Sequence, residues 1–308
     1  MIKGLAITPP VIGRISIGKL VNKNDKWLPE KDDSFTLTTQ VQNREGWILH
    51  PLHQPLADAS ANGKIRAIPI RLMFNNSDLN LRSEYSAFDR ATGRPLCVGN
   101  GDMAKRSTRE GMEDVSCIGP DRCQFAKESG CKLYGRLNVQ VEGQNDDLGS
   151  FIFRTTGYNS VRTLAARLGY FEAICGGHTR HLPLLLRLRA KSTTQSRRTP
   201  VYYVDLTLRE EQSLAEAVSQ AREEAHRYQQ AGIDIEQFET AAKQLLMNGQ
   251  FEDVTEEVPL MLEEFYPEPD ADANTSTTTM TAVPQTITRA TRLTAKLGKP
   301  ATTAQAVA

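Results

Sequence analysis

Stretches in which apolar and β-branched residues dominate or alternate with polar ones predict β-strands through the middle of the chain. The Gly-Gln-Asn-Asp-Asp sequence at residues 143–147 has the composition of a hairpin loop, so the strands on either side of it are expected to pair. Pro69 lacks a backbone N–H and predicts that its strand lies at a sheet edge. The predicted strands span residues 65–74, 133–142, 149–156, 184–190 and 201–208.

Apolar positions with a helical period predict three helices. The first covers residues 161–172 and has Asn159 or Ser160 as its N-cap. The second and third cover residues 209–230 and 235–247, end at Gly232 and Asn248-Gly249, and are expected to form a helical hairpin.

These elements predict an α+β protein with a mixed or antiparallel sheet core. Residues 1–64 are expected to form an N-terminal extension with short strands, and residues 65–208 the core, which includes an irregular module at 97–131. Residues 209–266 are the predicted acidic helical hairpin. Residues 267–308 are rich in Thr, Ala, Ser and Pro and poor in large apolar residues, which predicts a disordered tail.

Composition and charge add compartment and partners to this picture. The 308 residues carry no formal net charge and 39% hydrophobic residues, which is typical of a globular protein. No apolar run is long enough to span a membrane, and the N-terminus lacks the apolar region of a signal peptide, so a cytoplasmic protein without membrane contact is expected. In a reducing compartment, clustered cysteines favour metal binding over disulfides.

Four of the five cysteines lie within 35 positions, separated by 19, 5 and 7 residues: Cys97, Cys117, Cys123 and Cys131. The surrounding segment has too little apolar surface to fold by burial alone, and four thiolates suit zinc in a closed, structural site. An iron–sulfur cluster also takes four thiolates, and scattered structural cysteines are the third interpretation. The fifth, Cys175, is interpreted as a semi-buried residue at a helix end, followed by a Gly-Gly turn and exposed histidines.

Basic residues are concentrated between residues 154 and 198, where nine lysines and arginines face a single acid, Glu172. Guanidinium groups bind phosphate oxygens in a bidentate manner, so this cluster predicts a surface for nucleic acid. The competing interpretation is that the arginines pair with the segment 209–270, where sixteen acids face four basic residues. The residues predicted to contact nucleic acid are Arg154, Arg162, Arg187, Arg189, Arg197 and Arg198.

No sequence motif indicates catalysis. The chain has no GxSxG, P-loop or HExxH motif, and carboxylates are sparse between residues 133 and 198. A metal-dependent nuclease needs several converging carboxylates. We therefore expect a protein that is not an enzyme, with a metal-dependent hydrolase acting on nucleic acid as an alternative.

Two sequence runs resemble a known family: CIGPDRCQFAKESGCKLYGRLNV at residues 117–139 and FIFRTTGYNSVRTL at residues 151–164. With SEYSAFD at 83–89 and GRPLC at 93–97, they are similar to the recombination directionality factor-like proteins of phages and integrative elements, over roughly residues 65–206. The resemblance implies an accessory factor that binds a serine integrase and redirects it from integration to excision. DNA, a serine integrase or another recombination protein are the expected partners. The alternative is a nucleic-acid-binding protein from the replication or recombination operon of a mobile element.

Overall fold

The computed structural model of the chain describes residues 8–23, 26–44, 46–192, 194, 198–210, 212–246 and 258–266. The predicted tail at 267–308 lies outside the described residues, and so does Arg197.

Within the described residues, twelve strands form one mixed sheet. The strands β1 and β10 pair in parallel, and the other described pairs are antiparallel. The strands are β1 Val11–Lys23, β2 Lys26–Asn43, β3 Gly46–Leu49, β4 Ala67–Leu72, β5 Leu81–Phe88, β6 Pro95–Gly99, β7 Met103–Ser107, β8 Met112–Ser116, β9 Lys132–Val141, β10 Ser150–Thr155, β11 Leu184–Lys191 and β12 Val201–Leu208.

The sheet divides at β9, whose one edge carries β10 and whose other edge carries two different strands. The first part of β9 pairs with β5, which leads through β6 and β7 to β8. The last part pairs with β4, which leads through β11 to β12. Strand β9 therefore joins a branch that contains the four clustered cysteines to a branch that contains Arg187 and Arg189.

The structure confirms an α+β fold with a mixed sheet, the β9–β10 hairpin and the pair β11–β12. The edge position predicted from Pro69 is wrong, because β4 lies between β11 and β9. Pro69 is tolerated there because its backbone faces the end of β9: its carbonyl accepts from the Glu142 N–H at 3.0 Å, just where the ladder stops.

Two other segments are more regular than expected. The N-terminal strands β1 and β2 have 13 and 18 residues instead of being short, and β1 is paired with β10 of the core. The segment 97–131 is not irregular, since most of it forms β6, β7, β8 and a short helix.

Seven α-helices are present in the described part of the chain: α1 His53–Asp58, α2 Ser77–Asn80, α3 Gln124–Ser129, α4 Tyr158–Cys175, α5 Leu214–Gln230, α6 Ile235–Leu246 and α7 Val258–Phe265. The predicted helix at 161–172 is α4, which begins after Gly157 and not after Asn159 or Ser160. Ser160 instead lies buried in the first turn, where its hydroxyl accepts from the Val204 N–H at 3.2 Å. This contact joins α4 to β12.

Helices α5 and α6 correspond to the second and third predicted helices. Helix α5 begins at Leu214 and not at Arg209, because Ser213 and Glu216 form a reciprocal capping box. Ala217 and Ala221 of α5 join the main core, whereas Ala242 of α6 packs with Met73, Phe74 and Leu79. A hairpin in which the two helices pack on each other is not seen among the described residues.

The main core lies between the sheet and helices α4 and α5. Its largest fully buried side chains include Phe35, Ile68, Leu137 and Phe151. Gly135 on β9 lets α4 pack closely, because a Cβ atom there would lie 2.7 Å from the Val161 side chain. The sequence thus fixes α4 tightly against the strand at which the sheet divides.

Candidate metal centre and basic residues

The four clustered cysteines come together from four places on the β5–β8 branch. Cys97 lies on β6, Cys117 directly follows β8, Cys123 is the N-cap of α3, and Cys131 separates α3 from β9. All four line one small cavity of about 20 Å³, which is closed on other sides by Ala104, Phe125 and Ala126. A cavity of this size holds about one water molecule or one ion.

Tight backbone turns hold these cysteines in place. Gly99 has no side chain where a Cβ atom would lie 2.8 Å from the Cys117 sulfur. Gly119 and Gly130 have φ angles of +79° and +68°, which favour glycine. The Cys117 N–H donates to the Asp102 carbonyl at 2.7 Å, and the Cys131 N–H donates to the Ala126 carbonyl at 3.1 Å.

The thiols also influence one another electrostatically. Burial raises the pKa of the Cys131 thiol to about 12, and the charges of Cys97, Cys117 and Cys123 add to this effect. A single cation, Arg106 of β7, faces the cluster among the described residues that line the cavity, and its Nη2 lies 3.8 Å from the Cys123 sulfur. Ionising all four thiols together therefore needs more positive charge than Arg106 supplies.

The four cysteines offer the donor atoms that a metal ion needs, but their side chains are not arranged around a single ion position. All five cysteines are free thiols, and the donor set around the cavity is the one that zinc takes in closed sites. In the described conformation, however, no group of three or more Cys, His, Asp or Glu side chains is arranged so that it could hold an ion. The four sulfurs line one cavity but would have to move closer together to bind a metal ion.

Cys175 lies apart from this cluster. It is the last residue of α4, is fully buried in the main core, and is followed by Gly176 and Gly177 with φ angles of +58° and +85°. The expectation of a semi-buried cysteine and exposed histidines is wrong in part. His181 is buried, with its ring centroid 4.8 Å from that of Tyr228 and its Nδ1 3.6 Å from a Glu224 carboxylate oxygen.

The described members of the set predicted to contact nucleic acid lie in different environments. Arg154 on β10 is buried, whereas Arg162 is exposed in the second turn of α4, beside a groove of about 290 Å³ that Glu84 and Tyr158 also line. Arg198 is exposed after the loop that follows β11. Arg187 and Arg189 lie two apart on β11, as expected.

Both arginines of β11 have carboxylate partners. Arg187 is 2.6 Å from Glu210, and Arg189 is 2.7 Å from Asp205 on β12. Asp205 is also 2.9 Å from Arg167 of α4. Burial raises the pKa of the Asp205 carboxyl, but hydrogen bonds from Arg167 and Arg189 outweigh burial and lower it.

Sequence reasoning did not find Asp205 or Arg106 as members of these clusters. Asp205 interrupts an apolar strand, which is the one local signal that a buried countercharge was needed. Arg106 has no such signal, because its role depends on the register that places it opposite Cys97.

The family described as Gp3-like, recombination directionality factor-like, matches residues 12–209. No match to a curated protein or to a solved structure was found for the chain. None of the described helices has the length and apolar character needed to cross a membrane.

Proposed function

Because the chain belongs to the recombination directionality factor-like family, we propose that it is a non-catalytic accessory factor in the DNA recombination of a phage or mobile element. One observation carries this proposal: the family segment, residues 12–209, has nearly the same limits as the sheet, which runs from Val11 of β1 to Leu208 of β12. Both branches of the sheet, with the cysteine cluster and the basic residues, lie inside it. Helices α5, α6 and α7 lie beyond it.

We propose a serine integrase, DNA or both as the partner. The direct test adds the purified full-length chain to the serine integrase encoded by the same mobile element, with substrates for integration and for excision. The chain should promote excision and depress integration. If it leaves both reactions unchanged and does not bind the integrase, the proposed role is wrong.

We further propose that Cys97, Cys117, Cys123 and Cys131 hold one structural zinc ion. The shared cavity and the all-thiol donor set support this proposal. A zinc ion with four protein thiolates has no open position for water, so it would supply cross-linking of β6 to the turns around α3 and no catalysis. Elemental analysis should find about one zinc per chain. A metal-free protein that folds and melts normally argues against zinc, and a brown protein with visible absorption argues for iron–sulfur.

Direct contact with nucleic acid, the second candidate function, is favoured by the exposure of Arg162 and Arg198. Affinity for duplex and single-stranded DNA should then fall steeply with salt, and each removed phosphate contact should flatten the logarithmic slope by about one unit. The variants Arg162→Gln and Arg198→Gln should each flatten this slope. Arg154→Gln serves as the comparison, since Arg154 is buried. Absence of binding at low salt leaves a protein partner as the proposed target.

A further inference from the structure

Arg106 occupies an unusual position for a basic residue, because it points into the cavity of the four cysteines. It lies on β7 directly opposite Cys97 of β6. Its Nη2 donates to the Cys123 sulfur at 3.8 Å, and Cys97 lines the same cavity. Its Cζ lies 4.3 Å from the centre of the Phe125 ring, and its Nε is buried without a hydrogen-bond partner.

This geometry fixes the guanidinium plane from two sides. The pairing of β6 with β7 sets where the side chain starts, and the Phe125 face, on which a guanidinium stacks favourably, sets how it is oriented. The Nη2 group then points towards the Cys123 sulfur. A surface arginine that only neutralises charge needs no such support.

Four thiolates around a divalent ion carry an excess of two negative charges. Cys97 is buried and the other three cysteines are half-buried, so water screens this excess less than it does in bulk solvent. Sulfur is a weak acceptor, but hydrogen bonds to charged groups are the stronger ones, and partners outside the metal ligands commonly control metal affinity. Arg106 is the cation placed to offset part of the excess charge.

We propose that Arg106 is a positioning residue of the metal centre, donating N–H groups to the sulfurs of Cys97 and Cys123 so that the bound ion is released slowly. The inference rests on the proposed zinc site. It adds to that site a residue that is not a ligand and that the cysteine pattern does not reveal.

The test compares zinc release from variants of the full-length protein, followed by the absorbance of a chromogenic chelator in excess. Arg106→Met keeps most of the apolar stem but removes the charge and the donors, and should release zinc about tenfold to a hundredfold faster. Arg106→Gln should also release it faster, and Arg106→Lys, which keeps the charge but not the planar donors, should lie between the wild type and Arg106→Gln. The control is Lys105→Met, since Lys105 is the neighbouring residue and pairs with Asp114 at 2.9 Å on the surface.

A second readout separates this role from simple packing. With cobalt in place of zinc, the sulfur-to-metal charge-transfer band should shift in Arg106→Met and Arg106→Gln but not in Lys105→Met. If Arg106→Met does not fold, the zinc release and cobalt band of Arg106→Gln test the proposal instead. If zinc is bound but these variants release it at the wild-type rate with an unshifted band, Arg106 has no such role and the zinc site still stands. If the wild-type protein binds no metal, the zinc site and this inference both fail.

Discussion

The carboxylate of Asp205 lies between two guanidinium groups that come from different elements. Its side chain is 4% exposed, whereas those of Arg167 and Arg189 are 44% and 43% exposed. The acid therefore carries most of the desolvation, and the two arginines reach it from the solvent side. Since two positive charges share one negative charge, this site keeps a net positive charge next to the exposed end of β11.

Replacing Asp205 with Asn should destabilise the protein by about 1–3 kcal/mol, because a buried countercharge is lost while both cations stay partly hydrated. Glu210→Gln is the matched control. It also removes the acid from an arginine pair, with Arg187, but Glu210 is 76% exposed, so the change should stay within about 0.5 kcal/mol. Urea denaturation at pH 7 measures both, and equal losses would contradict the distinction.

His181 gives a second residue-scale prediction, on pH dependence. Burial and the charge of Arg180 lower the pKa of His181 from 6.5 to about 4, although the nearby Glu224 opposes this shift and Arg71 adds to it. The unfolded chain then binds a proton between pH 6.5 and pH 4 that the folded chain does not, so stability falls as the pH falls through this range. The loss from this group between pH 7 and pH 5 is about 2 kcal/mol.

The variant His181→Gln should therefore lose less stability than the wild type when the pH is lowered from 7 to 5. The difference between the two proteins cancels the contributions of other groups. His226→Gln, at an exposed position on α5, should behave as the wild type. A wild-type pH dependence in His181→Gln would show that His181 is not the group involved.

Individual residues also show which features could be predicted from the sequence and which could not. The clustering of Cys97, Cys117, Cys123 and Cys131 could be predicted because glycine turns and polar composition are local signals. The partners of Arg187 and Arg189 could not, because they depend on which residues β11 and β12 place opposite each other and on how α4 packs. The competing interpretation is correct for Arg187, whose partner Glu210 belongs to the acidic segment.

At the scale of elements, α7 is one of four helices that the hydrophobic pattern did not reveal, together with α1, α2 and α3. It is short and follows a run of acids, so its apolar residues give no sustained helical period. Val258, Met261, Leu262 and Tyr266 are nevertheless buried against Phe88 and Tyr134 of the sheet. Glu264 is 2.6 Å from Arg14 of β1, and the Tyr266 hydroxyl donates to the Ser86 carbonyl at 3.2 Å.

An isolated helix of eight residues is not stable in water, so its contacts with the sheet hold α7 in place. Met261→Ala should cost about 2–4 kcal/mol, since Met261 is 2% exposed. Met112→Ala makes the same chemical change at a residue that is 59% exposed on β8, and should cost less than about 0.5 kcal/mol. Thermal or chemical denaturation measures both. A small loss for Met261→Ala would mean that α7 contributes little to the stability of the folded chain.

At the scale of the whole molecule, the local pattern located several core strands, missed β5 to β8, and did not predict which strands pair. Four strands were predicted close to their observed limits, because each is a largely apolar run bounded by turn residues. They are the strands predicted at 133–142, 149–156, 184–190 and 201–208. The position of β4 inside the sheet, the parallel pairing of β1 with β10 and the division at β9 involve partners far apart in sequence. Periodicity along one segment carries no information about such partners.

The division at β9 separates two apolar clusters of unequal size. The main core contains most of the large buried side chains, including those of β4, β9, β11 and β12. The cysteine branch has a much smaller cluster, in which Ala87, Cys97 and Ala104 are the buried members. If the proposed zinc ion is bound, it would give the small cluster a cross-link that the larger main core does not need.

Removing the proposed zinc ion should then open the cysteine branch and leave the main core folded. After treatment with a strong chelator, hydrogen exchange should accelerate in β6, β7, β8 and α3, and stay slow in β4, β9, β11 and β12. Cys131→Ala should reproduce this pattern and lose the zinc. Cys175→Ala is the matched control, since Cys175 is buried in the main core, and it should keep the zinc and the protection of the cysteine branch. Unchanged exchange in that branch after metal loss would mean that the ion does not hold it together, and uniform acceleration would mean that the two branches unfold as one unit.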